Sequence, residues 1–233
     1  MKIPVCVIVG AGPGNGAAFA RQFSRAGYRV ALLARGREGL DGLVNEIAGT
    51  RAYAYDATDP DDAARVFAAI RQDLGTPQTL IYNASTRDFH DIDATTPAAF
   101  EQAWRVNCFG CLLATQQVIP DMRAAGNGSI VIIGATASLK GAAGAVAFGS
   151  AKAAQRSLAQ SLARQLGPEG IHCAYVIIDA VVDMPASRAM FPDAPTSFFA
   201  RPDDIAESVF HLARQPKSAW TFELDLRPFG EHW

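Results

Sequence analysis

The chain has 233 residues, of which 49% are hydrophobic and 19% charged, with a formal net charge of −2 and a pI near 6.1. That suffices for one good-sized core and leaves no need for a second, so a single domain over residues 1–233 is expected. The charge gives no global attraction to nucleic acid or membrane, no apolar run reaches about eighteen residues, and Met1-Lys2-Ile3 leads straight into an apolar run, so a small ligand and a cytoplasmic location are expected.

The first predicted element is a strand over residues 5–9, VCVIV, uncharged and mostly β-branched as a parallel strand covered on both faces requires. It runs into Gly10, Gly12, Gly14 and Gly16, where backbone can approach a ligand without Cβ contact, and a helix starting near Gly14 aims its N–H groups at an anion. The spacing is G-x-x-x-G-x-G on Gly10, Gly14 and Gly16; a G-x-G-x-x-G count from Gly10 lands on Asn15 instead. In outline this is a dinucleotide pyrophosphate site, with an ordinary glycine turn as the other reading of the string alone.

A helix over 17–26 ends at Gly27, and a second apolar strand over 29–34 closes on Arg35, followed by Arg37. A helix over 38–48 and a short strand over 52–55 lead to Asp56. Asp59-Pro60 reads as an N-cap with proline in the first turn, opening a helix to about residue 74. A fourth strand spans 79–83. Thr96-Pro97 repeats the cap signal for a long helix through Phe100, Trp104, Cys108, Cys111 and Thr115, whose spacing marks one apolar face. A fifth strand, GSIVIIG, covers 128–134; small residues over 135–147 lead to a helix over 148–166, a sixth strand over 173–178, a helix from Pro202 and a strand over 221–226. Seven strands alternating with six helices imply an α/β, doubly wound parallel sheet with its ligand at the carboxyl ends of the strands.

Residues 179–201 break the alternation. With Pro185, Pro192 and Pro195 among Met184, Met190, Phe191, Phe198 and Phe199, they read as a lid or substrate loop, a packed surface loop being the alternative. Cys6, Cys108, Cys111 and Cys173 lie in apolar runs as buried thiols, and Cys108-x-x-Cys111 lacks the second ligand pair of a metal site, so no metal is expected. His90, His172, His211 and His232 have no nucleophile or carboxylate partner at recognisable spacing and read as structural. The tail over 220–233, WTFELDLRPFGEHW, is too aromatic for a solvated terminus and is expected to pack on its own sheet or on a neighbour.

Taken together the chain resembles the short-chain dehydrogenase/reductase family along nearly its whole length. The resemblance rests on Gly10-x-x-x-Gly14-x-Gly16, Asp56 after the third strand, Tyr82-Asn83-Ala84-Ser85 at the family's N-N-A-G-like turn, Asn107 in the fourth helix, the GSIVIIG strand, and a lysine early in the next helix. It implies a seven-stranded Rossmann sheet, NAD or NADP, and oxidation of an alcohol or reduction of a carbonyl on a small molecule. It further implies that Gly10, Gly14, Asn15 and Gly16 cradle the cofactor, that Asp56 contacts the adenine, and that Asn83 and Ala84 line the cofactor wall. Where the family separates its cofactors, this chain has Ala34 and then Arg35 in place of an acidic side chain. Losing the carboxylate removes repulsion of a 2′-phosphate, and a guanidinium offers it two charge-assisted hydrogen bonds, so NADP(H) is preferred over NAD(H). Arg35 as a solvated loop charge is the other reading.

The chemical end departs from the family's Ser, Tyr, Lys and Asn. Lys152 and Asn107 are present, but the Tyr position, one turn before Lys152 on the same helix face, is Phe148; the Ser position is Ala135; and the P-G after the sixth strand is Asp179-Ala180. A positioned general acid or base contributes about 10²–10⁴ in rate, so the missing Tyr alone raises the barrier by roughly 3–5 kcal/mol. Thr136, Ser138 and Ser150 are the nearest substitutes, Thr136 first, each open to the plainer reading of a hydroxyl bonding local backbone. Asn107 is equally open to bonding backbone carbonyls, and Lys152 to holding the cofactor ribose only. Two functions therefore stand: an NADP(H)-dependent oxidoreductase with an altered proton-transfer site, and an NADP(H)-binding protein without turnover that serves a structural or redox-sensing role. The resemblance also implies a homodimer through the long helices, with Trp104, Cys108, Cys111 and Thr115 as a seam, or a homotetramer through the last strand.

Overall fold

The computed structural model describes residues 3–36, 38–86 and 88–230; Arg37, His232 and Trp233, named above, lie outside them. β1 (Val5–Val9) is flanked by β2 (Arg29–Ala34) and β4 (Pro77–Tyr82) in a seven-stranded parallel sheet of order β3-β2-β1-β4-β5-β6-β9. The remaining strands are β3 (Thr50–Ala54), β5 (Gly128–Ala135), β6 (Ile171–Ile178) and β9 (Glu223–Leu226). Successive side chains leave a strand on opposite faces. Val5, Val7 and Val9 therefore enter one core with α3 (Pro60–Asp73), α5 (Gly110–Ala125) and α6 (Val146–Leu166). Cys6 and Ile8 enter the other, with α1 (Asn15–Arg25), α2 (Glu38–Glu46) and α8 (Pro202–Ala213). Strand order reverses on either side of β1, which opens a crevice at the carboxyl ends of β1 and β4.

Caps hold the helices where the sequence places them. Asp59 accepts from the backbone N–H groups of Asp61 and Asp62, and Thr96 accepts from that of Ala99 at the start of α4 (Pro97–Trp104). The long helix expected from Thr96 is not one regular helix with one apolar face. Between α4 and α5 lies a π-helical turn, Arg105–Phe109, in which Gly110 N–H donates to the Arg105 carbonyl five residues back. The turn rotates the two halves relative to each other: Phe100 and Trp104 are exposed, whereas Cys111 and Thr115 are fully buried. The supposed seam is thus split between surface and core.

Residues 179–201 carry more regular structure than expected. Val181–Val182 (β7) pairs with Phe199–Ala200 (β8), and α7 (Pro185–Met190) lies between them. Arg188 grips Asp183 with two hydrogen bonds of 2.8 and 2.9 Å, and its guanidinium lies 4.1 Å from the centre of the Phe199 ring. The tail packs on its own sheet through β9, with Trp220 stacked on His172 at 4.8 Å, although Phe229 is exposed. His90 corrects the expectation for the histidines, because its Nδ1 lies 2.6 Å from the Asp88 carboxylate. An aspartate two residues away in a loop is a pairing that helix or strand spacing does not flag.

Candidate active site

The crevice is a cavity of about 1000 Å³, into which the glycine turn, the ends of β2 to β5 and residues 180–191 all contribute. At its floor Gly10 has φ +85°, and a Cβ there would stand 2.4 Å from the Ala84 nitrogen, so β1 and β4 close on each other only if this residue is glycine. Asn83 N–H donates to the Val9 carbonyl at 2.8 Å, and its side-chain amide donates to Gly10 at 2.8 Å, fixing the turn. Gly14 begins α1 with no side-chain cap, and the side-chain oxygen of Asn15 is buried without a partner among the described residues. An uncapped helix start and an unsatisfied acceptor beside it suit a phosphate-bearing ligand that also offers hydroxyls. Arg35, exposed at the end of β2, lines the same cavity and has no ion-pair partner among the described residues. Asp56 also lines it, with one carboxylate oxygen accepting from the backbone and hydroxyl of Thr58, both at 2.8 Å. The residues present therefore fit a dinucleotide with its diphosphate at Gly14 and Asn15 and a further anion near Arg35.

At the inner end the chain has built a polar network out of the π-helical turn. A π turn displaces carbonyls from the helical ladder, and each must find a donor. The Tyr82 hydroxyl donates to Val106, the Asn107 amide to Ala103 at 2.9 Å, and the Gln155 amide to the Asn107 carbonyl at 2.7 Å. Gln155 in turn accepts from Lys152 Nζ at 3.0 Å, and Lys152 also donates to the Ile133 carbonyl at 2.9 Å. Burial of Lys152, only 3% exposed, pushes its amine down to about 7. On the other side, Ser85 donates to the Asn107 side-chain oxygen at 2.9 Å, and Asn107 donates to Thr86 at 3.2 Å. Asn107 thus bonds a backbone carbonyl, as one reading of it held, and also ties Ser85 and Thr86 to the helix.

Phe148, Ala135 and Lys152 all line the inner end, with Phe148 8% exposed. The Phe148 ring packs against Phe89 at 5.1 Å, and Lys152 Nζ lies 5.9 Å from its centre. Among the described lining residues there is no imidazole, and the one phenol is Tyr55, just beyond β3 at the outer end. The candidate substitutes separate. Ser138 donates to Ala135 at 2.6 Å and Ser150 to Val146 at 2.8 Å, both local backbone bonds. Thr136 lines the cavity and donates not to backbone but to the Asp179 carboxylate. Sequence reasoning missed Gln155, Phe89 and the Thr136–Asp179 pair. Gln155 stands three residues after Lys152, a spacing that puts both on one helix face, whereas nothing in the sequence joins Thr136 to Asp179.

Comparison with known proteins agrees with this geometry. A family model described as short chain dehydrogenase matches residues 4–191. D-xylose 1-dehydrogenase of Caulobacter vibrioides is 28% identical over 224 residues, covering 92% of this chain and 90% of that protein. The crystal structure of a short-chain dehydrogenase from Rhodopseudomonas palustris superposes with a TM-score of 0.83 at 35% identity, covering 97% of this chain and 99% of that one. A metagenomic short-chain oxidoreductase in complex with NADP gives a TM-score of 0.85 at 26% identity, covering 99% of both chains.

Proposed function

Because the chain belongs to the short-chain dehydrogenase family, we propose that it is an NADP(H)-dependent oxidoreductase acting on the carbonyl or alcohol of a small molecule, with an altered proton-transfer end. The observation that carries this reading is one cavity that holds the glycine turn, Arg35 and Lys152 together. Gly10, Gly14, Asn15 and Gly16 seat the diphosphate, and Arg35 presents a two-pronged donor to a 2′-phosphate. Asp56 contacts the adenine, and Asn83 and Ala84 line the cofactor wall. The metagenomic relative bound to NADP supports the same choice of cofactor. When bound, NADP(H) supplies or accepts the hydride at the inner end. A charged Lys152 has three hydrogens, two of them committed to Ile133 and Gln155, which leaves one for the cofactor ribose. Phe148 and Ala135 offer the substrate oxygen no proton, so water, or a Thr136 hydroxyl turned away from Asp179, has to provide it.

The second reading, cofactor binding without turnover, is favoured by the way Gln155 ties Lys152 to Asn107 behind the cavity wall. The variant carrying Phe148→Tyr with Ala135→Ser separates the two, with NADPH consumption followed against a panel of carbonyl compounds. A rise of about 10²-fold or more over the parent is expected from a restored general acid; an unchanged rate would show that these two positions do not limit the chemistry. A cytoplasmic homodimer or homotetramer completes the proposal. It is supported by the exposed Phe100 and Trp104 on α4, and among the described residues no helix is long and apolar enough to cross a membrane.

A further inference from the structure

The inner end of the cavity is walled by rings and methyls. Phe89 is 58% exposed, Met190 73% and Phe191 38%, and all three line the same cavity as Phe148 and Val106. Large apolar side chains left open to water around a concave site favour a ligand that covers them with apolar surface. Most of the polar side chains nearby are already committed. Ser85 donates to Asn107 at 2.9 Å or to the Thr86 carbonyl at 3.0 Å, Thr86 accepts from Asn107, Thr136 donates to Asp179, and Lys152 is held by Ile133 and Gln155. What remains is the Gln102 side chain and the Ser187 hydroxyl, which line the cavity with no hydrogen-bond partner among the described residues, the Thr86 hydroxyl hydrogen and the accepting lone pairs of Thr136. That is sparse polar provision beside a wall of large apolar side chains. A polyol entering here would lose water from several hydroxyls and find partners for few of them. Among the described lining residues the charged ones are Arg35, Asp56 and Lys152, the first two beyond β2 and β3 at the outer end. A carboxylate at the inner end would therefore have to compete with the cofactor for the one uncommitted hydrogen of Lys152.

We propose that the substrate is a neutral carbocycle, aromatic or alicyclic, whose reacting hydroxyl or carbonyl is borne on an apolar ring packed between Phe89, Phe148 and the lid residues Met190 and Phe191. This rests on the oxidoreductase reading given above and names its substrate class. The test is calorimetric titration of the NADP⁺-saturated protein with β-tetralone, with D-xylose and with cyclohexanecarboxylate. β-Tetralone is expected to bind about tenfold or more tighter than either of the others, with a negative heat-capacity change. Phe89→Ala and Phe191→Ala, both at exposed positions, are expected to weaken it by about tenfold while leaving NADPH affinity, read by nicotinamide fluorescence, unchanged. Equal or tighter binding of the sugar or the acid, no binding of β-tetralone, or indifference to both substitutions overturns the proposal. A protein that gives no NADPH fluorescence response fails the cofactor reading instead, and titration of the free protein with β-tetralone then still reports on the apolar wall.

Discussion

Lys152 sits in the protein interior with its amine near neutrality, and this leaves a signature in stability. Its folded value of about 7 lies below the ordinary 10.5. Between those two pH values the unfolded chain binds a proton that the folded chain has released, so this group's contribution to stability rises with pH across the window. Below about 7 both states are protonated and the full cost of burying the charge is felt. Lys152→Met removes the titration, so raising the pH from 7 to 9 is expected to shift the balance toward the parent by up to about 2–3 kcal/mol in chemical denaturation. A pH-independent difference would mean that the amine is already solvated. Lys152, Ala135 and Asn107 are legible in the sequence through the resemblance to the family, and Phe148 because it stands one helical turn before Lys152. Gln155 shares that face but carries no distinguishing residue type, and its part follows from where the π turn leaves the Asn107 carbonyl.

At the scale of an element, the π-helical turn is the feature that positions the inner site, and Gly110 is its hinge. A Cβ on Gly110 would stand 2.5 Å from the Tyr82 hydroxyl and 2.6 Å from the Ala57 carbonyl oxygen. Gly110→Ala is therefore expected to push α5 away from β4 and loosen the Tyr82 bond to Val106, costing about 1–3 kcal/mol. For a chain of this size that is a fall in Tm of roughly 2–12 °C, measurable by differential scanning calorimetry. An unchanged Tm would show that α5 has room to slide. The strands and the capped helix starts are legible because apolar runs, Asp59-Pro60 and Thr96-Pro97 each have a local physical cause. The π turn is not, since one residue of overwinding has no composition of its own. The order within residues 179–201 is hidden for a related reason: β7 and β8 are two residues each and exist only because they pair.

For the molecule as a whole, a ligand that binds only the folded state stabilises it by mass action. At about a hundred times its dissociation constant, NADPH is expected to add about 2.7 kcal/mol, a rise in Tm of roughly 5–11 °C. NADH at the same concentration is expected to raise it less, and Arg35→Ala to erase the difference; equal shifts from both cofactors in the parent would leave Arg35 a solvated charge. The sheet as a whole is legible because strands that alternate with helices over short connections admit few topologies. The reversal of order at β1, which makes the crevice, follows from that. One further consequence concerns biosynthesis. β1 leaves the ribosome well before its second neighbour, β4, which begins at Pro77, yet it lies inside the sheet between β2 and β4. Until then the nascent chain carries one side of an apolar strand with nothing to pair against, the kind of edge that chaperones cover.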